Sequence, residues 1–253
     1  MILEWLRHRL TPCPRHLREM GYLREIVAID SRWRRHRAAW TMHLAECKAL
    51  VREAADACPH HRKATVYGSG LLLDLPLAEL AKRFGEVVLV DILHLPAVKR
   101  AARAYPNVRL VEADVTGLVA EVYAGGLPAP ELAALPEGDG DLAVSLNILT
   151  QLSLIPSWWA ERRHPPDKVE AFRRAVIEHH LALLRACPGT VCLIAEAEEL
   201  YCDGDNILDR DDALHGAHLP EGGREWTWDI APRPELTPDY DFRLRVRGVI
   251  LKG

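Results

Sequence analysis

The residues best placed to do chemistry are Gly68, Ser69 and Gly70, with a carboxylate, Asp91, about 20 residues further on. Glycines let the backbone approach a ligand where a Cβ would collide, and they tolerate positive φ. A carboxylate at a strand end can accept hydrogen bonds from ribose hydroxyls. The same residues also suit a tight strand-to-helix turn and a solvated strand-end acid. Strand end and spacing agree at Asp91, which favours the nucleoside reading.

Further candidates lie downstream. Asp114 follows the third apolar run, where a carboxylate can accept from an adenine amino group or cap the next helix. Asn147 ends the fourth run and Gln151 follows it. Both amides would face the cleft and orient a ligand there, and Asn147 could equally cap a turn. Trp158 and Trp159, read as part of a loop, offer flat faces for a planar substrate; a core role for one of them is the plainer alternative. Glu196, Glu198 and Glu199 close the fifth run, with Tyr201 just beyond. Tyr201 and Glu198 are the candidate proton acceptors. The acids and histidines of 203–218 invite a metal reading, but Ile207 stands where an EF-hand frame needs an oxygen ligand, so no metal is expected.

These residues need a scaffold, and the apolar pattern supplies one. Runs at 64–67, 87–90, 108–111, 141–146 and 191–202 read as buried strands. Helical spacing covers 75–84, 95–105, 118–123 and 167–186. Strands alternating with helices form right-handed parallel units, with the ligand beyond the carboxyl strand ends. Segments 225–230 and 241–251 alternate polar and apolar residues with no helix between them, so they predict an antiparallel pair at the sheet edge. Residues 124–140 are rich in Gly, Pro and Ala and read as a mobile surface connection, either a candidate lid or a plain insertion. Residues 202–225 read as a polar loop.

Residues 1–60 carry helical patterns and no strand, and are expected to form a helical cap on a domain spanning 61–253. The first of these helices would use Ile2, Leu3, Leu6 and Leu10. Residues 1–40 hold nine arginines against four acids; the group Arg32, Arg34, Arg35 and Arg37 suits either a phosphate or a solvated helix face. A net charge of −4 over 253 residues argues against a general nucleic-acid coat. Six cysteines without a C-x-x-C pair suit reduced thiols. No bilayer-length apolar run and no signal peptide pattern are present, so the expected location is cytoplasmic.

The assembled pattern resembles the class I S-adenosylmethionine-dependent methyltransferases over roughly residues 60–251. The resemblance implies an α/β fold: a doubly wound, mostly parallel seven-stranded sheet with a C-terminal antiparallel pair. Gly68-Ser69-Gly70 resembles that family's glycine turn under the cofactor's methionine part. Asp91 matches its ribose acid, Asp114 its adenine acid, and 141–147 its fourth-strand motif beside the transfer site. Two positions depart from the pattern. Val66 stands where the family has an acid, and Leu72 where it has a third glycine; Asp74 is close enough to replace the acid if the turn is remodelled. A nicotinamide reading fits less well, because its third glycine would be Leu73.

The expected activity is therefore methyl transfer from S-adenosylmethionine to a small molecule. Two alternatives stand beside it. One is a degenerate methyltransferase fold kept for binding or assembly. The other is a nucleic-acid methyltransferase that uses the N-terminal arginines.

Overall fold

The computed structural model describes residues 11–251; the predicted helix of Ile2, Leu3, Leu6 and Leu10 lies outside them. Three helices open the described chain: α1 (Arg15–Met20), α2 (Tyr22–Arg35) and α3 (Arg37–Ala57). There follow β1 (Lys63–Tyr67), α4 (Leu77–Arg83), β2 (Glu86–Asp91), α5 (Pro96–Ala102), β3 (Val108–Glu112), α6 (Val119–Ala124) and β4 (Leu142–Leu146). The last part comprises α7 (Gln151–Ala160), α8 (Pro166–Arg185), β5 (Thr190–Asp203), β6 (Asn206–Asp212), β7 (Arg224–Ala231) and β8 (Asp241–Leu251).

The sheet has eight strands in the order β3-β2-β1-β4-β5-β8-β7, with β6 paired to β5. Strands β1 to β5 are mutually parallel, and β8 runs antiparallel to both β5 and β7. This is the doubly wound arrangement with a C-terminal antiparallel pair that the sequence implies. The order reverses between β1 and β4, which opens a crevice at their carboxyl ends.

Side chains alternate across the central strands. Ala64 and Val66 of β1 join Val87, Leu89, Leu142 and Val144 in one core, against Trp40, Cys47, Leu50 and Val51 of α3. Tyr67, Val88, Val90 and Ala143 face the other core, with Phe172, Val176 and Leu184 of α8. The N-terminal helices thus share a core with the sheet. Every residue of β4 is buried, as a parallel strand covered on both faces requires.

Three expectations are corrected. The sheet has eight strands rather than seven, because β5 runs on to Asp203 and turns back through β6, whose residues are all exposed. A solvated hairpin carries no apolar signal, so its sequence reads as loop. Segment 124–140 is no lid. Its later part is fastened to the sheet: Lys63 Nζ and Arg109 Nη2, near the amino ends of β1 and β3, contact Glu137 at 2.6 and 2.9 Å, and the hydroxyl of Tyr67, the last residue of β1, donates to Pro136 O at 2.9 Å. The two tryptophans lie on a helix, α7, although Pro156 interrupts its pattern.

Candidate functional site

A cavity of about 240 Å³ opens at the carboxyl ends of β1, β2 and β4. Gly68 and Gly70 line one side with Asp91, Ile92, Asp114 and Thr116. Asp74, Asn147, Gln151 and Glu196 line the other. Tyr22, Ile26 and Ile29 of α2 and Trp40, His43 and Leu44 of α3 add a largely apolar wall.

The glycine turn is built by backbone constraint. Gly68 has φ +77°, and a Cβ there would lie 2.7 Å from both Ile148 Cβ and Leu146 O. Gly70 has φ +47° and an open neighbourhood, so its missing side chain leaves room for a ligand. Leu72, at the place of a third glycine, also takes a positive φ of 62°. The turn therefore keeps the left-handed geometry without the third glycine. Ser69 is buried, its Oγ 3.1 Å from His94 Nε2, and it does not line the cavity.

Asp91 clamps this turn. Its Oδ2 accepts from Gly70 N at 2.7 Å and its Oδ1 from Ile92 N at 2.8 Å. Desolvation pushes its carboxyl up to about 6, against the pull of the Gly70, Ile92 and Leu93 N–H groups. A carboxylate has about four lone-pair sites, so acceptor capacity remains for a ligand. Asp114 also lines the cavity, but it accepts from Thr116 N at 2.9 Å, Thr116 Oγ1 at 2.6 Å and Val119 N at 2.8 Å. It therefore fastens the entry to α6, although the N-cap position itself is Leu118.

On the far side, Asn147 holds a positive φ of 47°, which asparagine tolerates better than most residues. Its Nδ2 donates to Asp74 Oδ2 at 2.7 Å. Burial pushes the Asp74 carboxyl up to about 6. His43 and Cys47 stand beside this pair, with Nε2 and Sγ 3.5 Å apart. A metal could in principle be held by His43, Cys47 and Asp74. The Asn147 amide nitrogen instead lies among them, 3.3 Å from His43 Nε2 and 3.6 Å from Cys47 Sγ, and ties the group together by hydrogen bonds. Trp226 Nε1 donates to His43 Nδ1 at 3.0 Å, and Trp228 stacks on the imidazole at 3.8 Å between centroids. Burial pushes His43 down to about 3, so it is neutral.

The remaining candidates divide. Gln151 lines the cavity; Trp158 and Trp159 do not. Trp158 is exposed. Trp159 stacks on Tyr123 and donates from Nε1 to Tyr123 O at 3.2 Å. Tyr201 and Glu198 also lie outside the cavity lining. The Tyr201 hydroxyl contacts Asp211 at 3.1 Å and Glu199 at 3.2 Å, and desolvation with those two acids raises its pKa. Glu198 meets Arg245 at 3.4 Å.

Sequence reasoning passed over Glu196 for Glu198. A register shift in β5 separates the two, so their even spacing does not put them on equivalent faces. A signal did exist. Leu146 pairs with Ile194, so the first acid after Ile194 falls level with the residues just past Asn147. His43, Trp40 and Trp228 were missed because they reach the site from other elements.

No family model matches the chain, and no curated protein matches it. Among solved structures, a Burkholderia thailandensis 1,6-didemethyltoxoflavin-N1-methyltransferase with bound 1,6-didemethyltoxoflavin and S-adenosylhomocysteine is 19% identical, with a TM-score of 0.39, covering 90% of this chain and 89% of that one. The N-methyltransferase NodS from Bradyrhizobium japonicum WM9, in complex with S-adenosylhomocysteine, is 14% identical, with a TM-score of 0.37, covering 80% and 85%. The 23S rRNA methyltransferase ErmE is 13% identical, with a TM-score of 0.30, covering 79% and 67%. At such distances these similarities carry no weight for the chemistry, which rests on the strand order and the cavity of this chain.

Proposed function

We propose that this protein binds S-adenosylmethionine in the cavity and transfers its methyl group to a small molecule. The observation that carries the reading is the Asp91 clamp. A strand-end carboxylate at the switch point holds the glycine turn through Gly70 N and keeps acceptor capacity facing the cavity. Ribose hydroxyls would donate to Asp91, and the cofactor's methionine end would lie over Gly70.

Asp74 supplies the acid that Val66 lacks. Val66 is fully buried in the core, whereas Asp74 reaches the cavity and is oriented by Asn147. An ammonium is its natural counterion. Bound here, the cofactor would supply an activated methyl group. The protein's task is then to align an acceptor and exclude water, and proximity in ideal cases is worth roughly 7–11 kcal/mol.

The walls from α2 and α3 favour a small acceptor over a nucleic acid. The arginine group of α2 is also engaged: Arg34 meets Asp30 at 3.1 Å, and Arg35 and Arg32 meet Glu235 at 2.5 and 3.5 Å. Arg37 lies 4.8 Å from the Trp33 ring centroid.

The pH dependence of S-adenosylhomocysteine binding tests the role of the two aspartates. Both carboxyls sit at about 6, and both serve the ligand when ionised. Affinity measured by calorimetry is expected to rise as pH increases through about 6. Affinity that stays flat across that range would contradict the assignment.

A further inference from the structure

Among the described residues, Glu196 is a buried acid that the site so far leaves unexplained. It is 2% exposed, yet it lines the cavity. Its Oε2 accepts from Thr150 Oγ1 at 2.8 Å. Among the described residues it has no ion-pair partner, and the charged groups that bear on it, Asp74 and Glu199, are both acids. His43, the nearby base on the cavity wall, is kept neutral by burial. A buried carboxylate without a cation is costly, and burial accordingly raises the Glu196 pKa, so a cation brought beside it would favour its ionised form.

The surroundings narrow what could pair with it. Trp40, Trp228, Ile230 and Leu244 line the same cavity and give it an apolar wall. Two further polar atoms in the lining are buried without partners: Asn147 Oδ1, an acceptor, and Trp228 Nε1. Trp228 is itself only 7% exposed. A hard metal ion would call for several oxygen ligands; Asp74 is already engaged by Asn147, which leaves Glu196 and Asn147 Oδ1 as the buried acceptors beside an aromatic and aliphatic wall. An ammonium on a compact apolar body satisfies both features.

We propose that the methyl acceptor is a small primary or secondary amine, bound as its ammonium against Glu196 with its apolar body among Trp40, Trp228, Ile230 and Leu244. This rests on the methyl-transfer reading above and names the substrate class for that site. Glu196 both anchors the ammonium and takes one of its protons, which frees the nitrogen lone pair. As the nitrogen–carbon bond forms, the carbon–sulfur bond of the sulfonium breaks and its electron pair stays on sulfur. The methylated product carries the positive charge away as an ammonium, and Glu196 returns its proton to water.

The test uses the full chain saturated with S-adenosylhomocysteine, so that no turnover occurs. Benzylamine and benzyl alcohol, alike in shape and different in charge, are titrated by calorimetry into wild type and Glu196→Gln. Benzylamine is expected to bind at least about tenfold more tightly than benzyl alcohol to wild type. That preference should vanish in the variant while S-adenosylhomocysteine affinity is retained. Equal binding of the probes, binding of neither, or a preference that survives Glu196→Gln overturns the proposal. If the variant does not fold, the wild-type comparison decides alone. Failure of wild type to bind S-adenosylhomocysteine would instead overturn the methyl-transfer reading.

Discussion

At the residue scale, Gly68 and Gly70 do different jobs in one turn. Gly70 has space around it, and its N–H is held by Asp91. Gly68 is confined by the fold, because any side chain there meets Ile148 and the Leu146 carbonyl. Gly68→Ala is therefore expected to lower unfolding stability by about 1–3 kcal/mol in urea titrations, as overpacking does. An unchanged midpoint would show that the loop after β4 yields freely. Leu72 supports the same distinction. The positive φ survives at that position without glycine, so the turn's shape is set by its surroundings as well as by residue type.

At the element scale, β1, β2 and β4 were legible because covered parallel strands read as continuous apolar runs. Asp91 was legible because a strand end and a spacing converge on it. The far side of the cavity was harder to read. It is assembled from α3, the turn at Asp74, the residue after β4 and the middle of β5, and no local pattern links those segments. Glu198 looked as suitable as Glu196 until the shift in β5 separated their faces. Pro156 made α7 read as a loop, since an internal proline removes a helical donor. The arginines of α2 show how a charge run can serve packing. Glu235, with a side chain only 10% exposed, gathers Arg32, Arg35 and His36. Those contacts hold its carboxyl down at about 2, chiefly through the Arg35 hydrogen bond. Glu235→Ala is expected to lower stability by about 1 kcal/mol, an effect that high salt should reduce. No change in the unfolding midpoint would show that this contact does not anchor α2.

At the scale of the whole molecule, the sheet brings the Asp91 clamp and an acid-lined, largely apolar chamber to one switch point. The N-terminal helices close the chamber through Trp40, His43 and Leu44, and they share the sheet's core. Among the described residues no helix is long and apolar enough to cross a membrane. On the proposed function, Asn147 would link the cofactor and acceptor sites, since it orients Asp74 and also lines the cavity. The most direct test of this account is calorimetric titration of S-adenosylhomocysteine into wild type and Asp91→Ala, with both shown to be folded. Micromolar binding to wild type that is lost in Asp91→Ala is the predicted result. A folded wild type that binds no S-adenosylhomocysteine, or a variant that binds it equally well, would contradict the account.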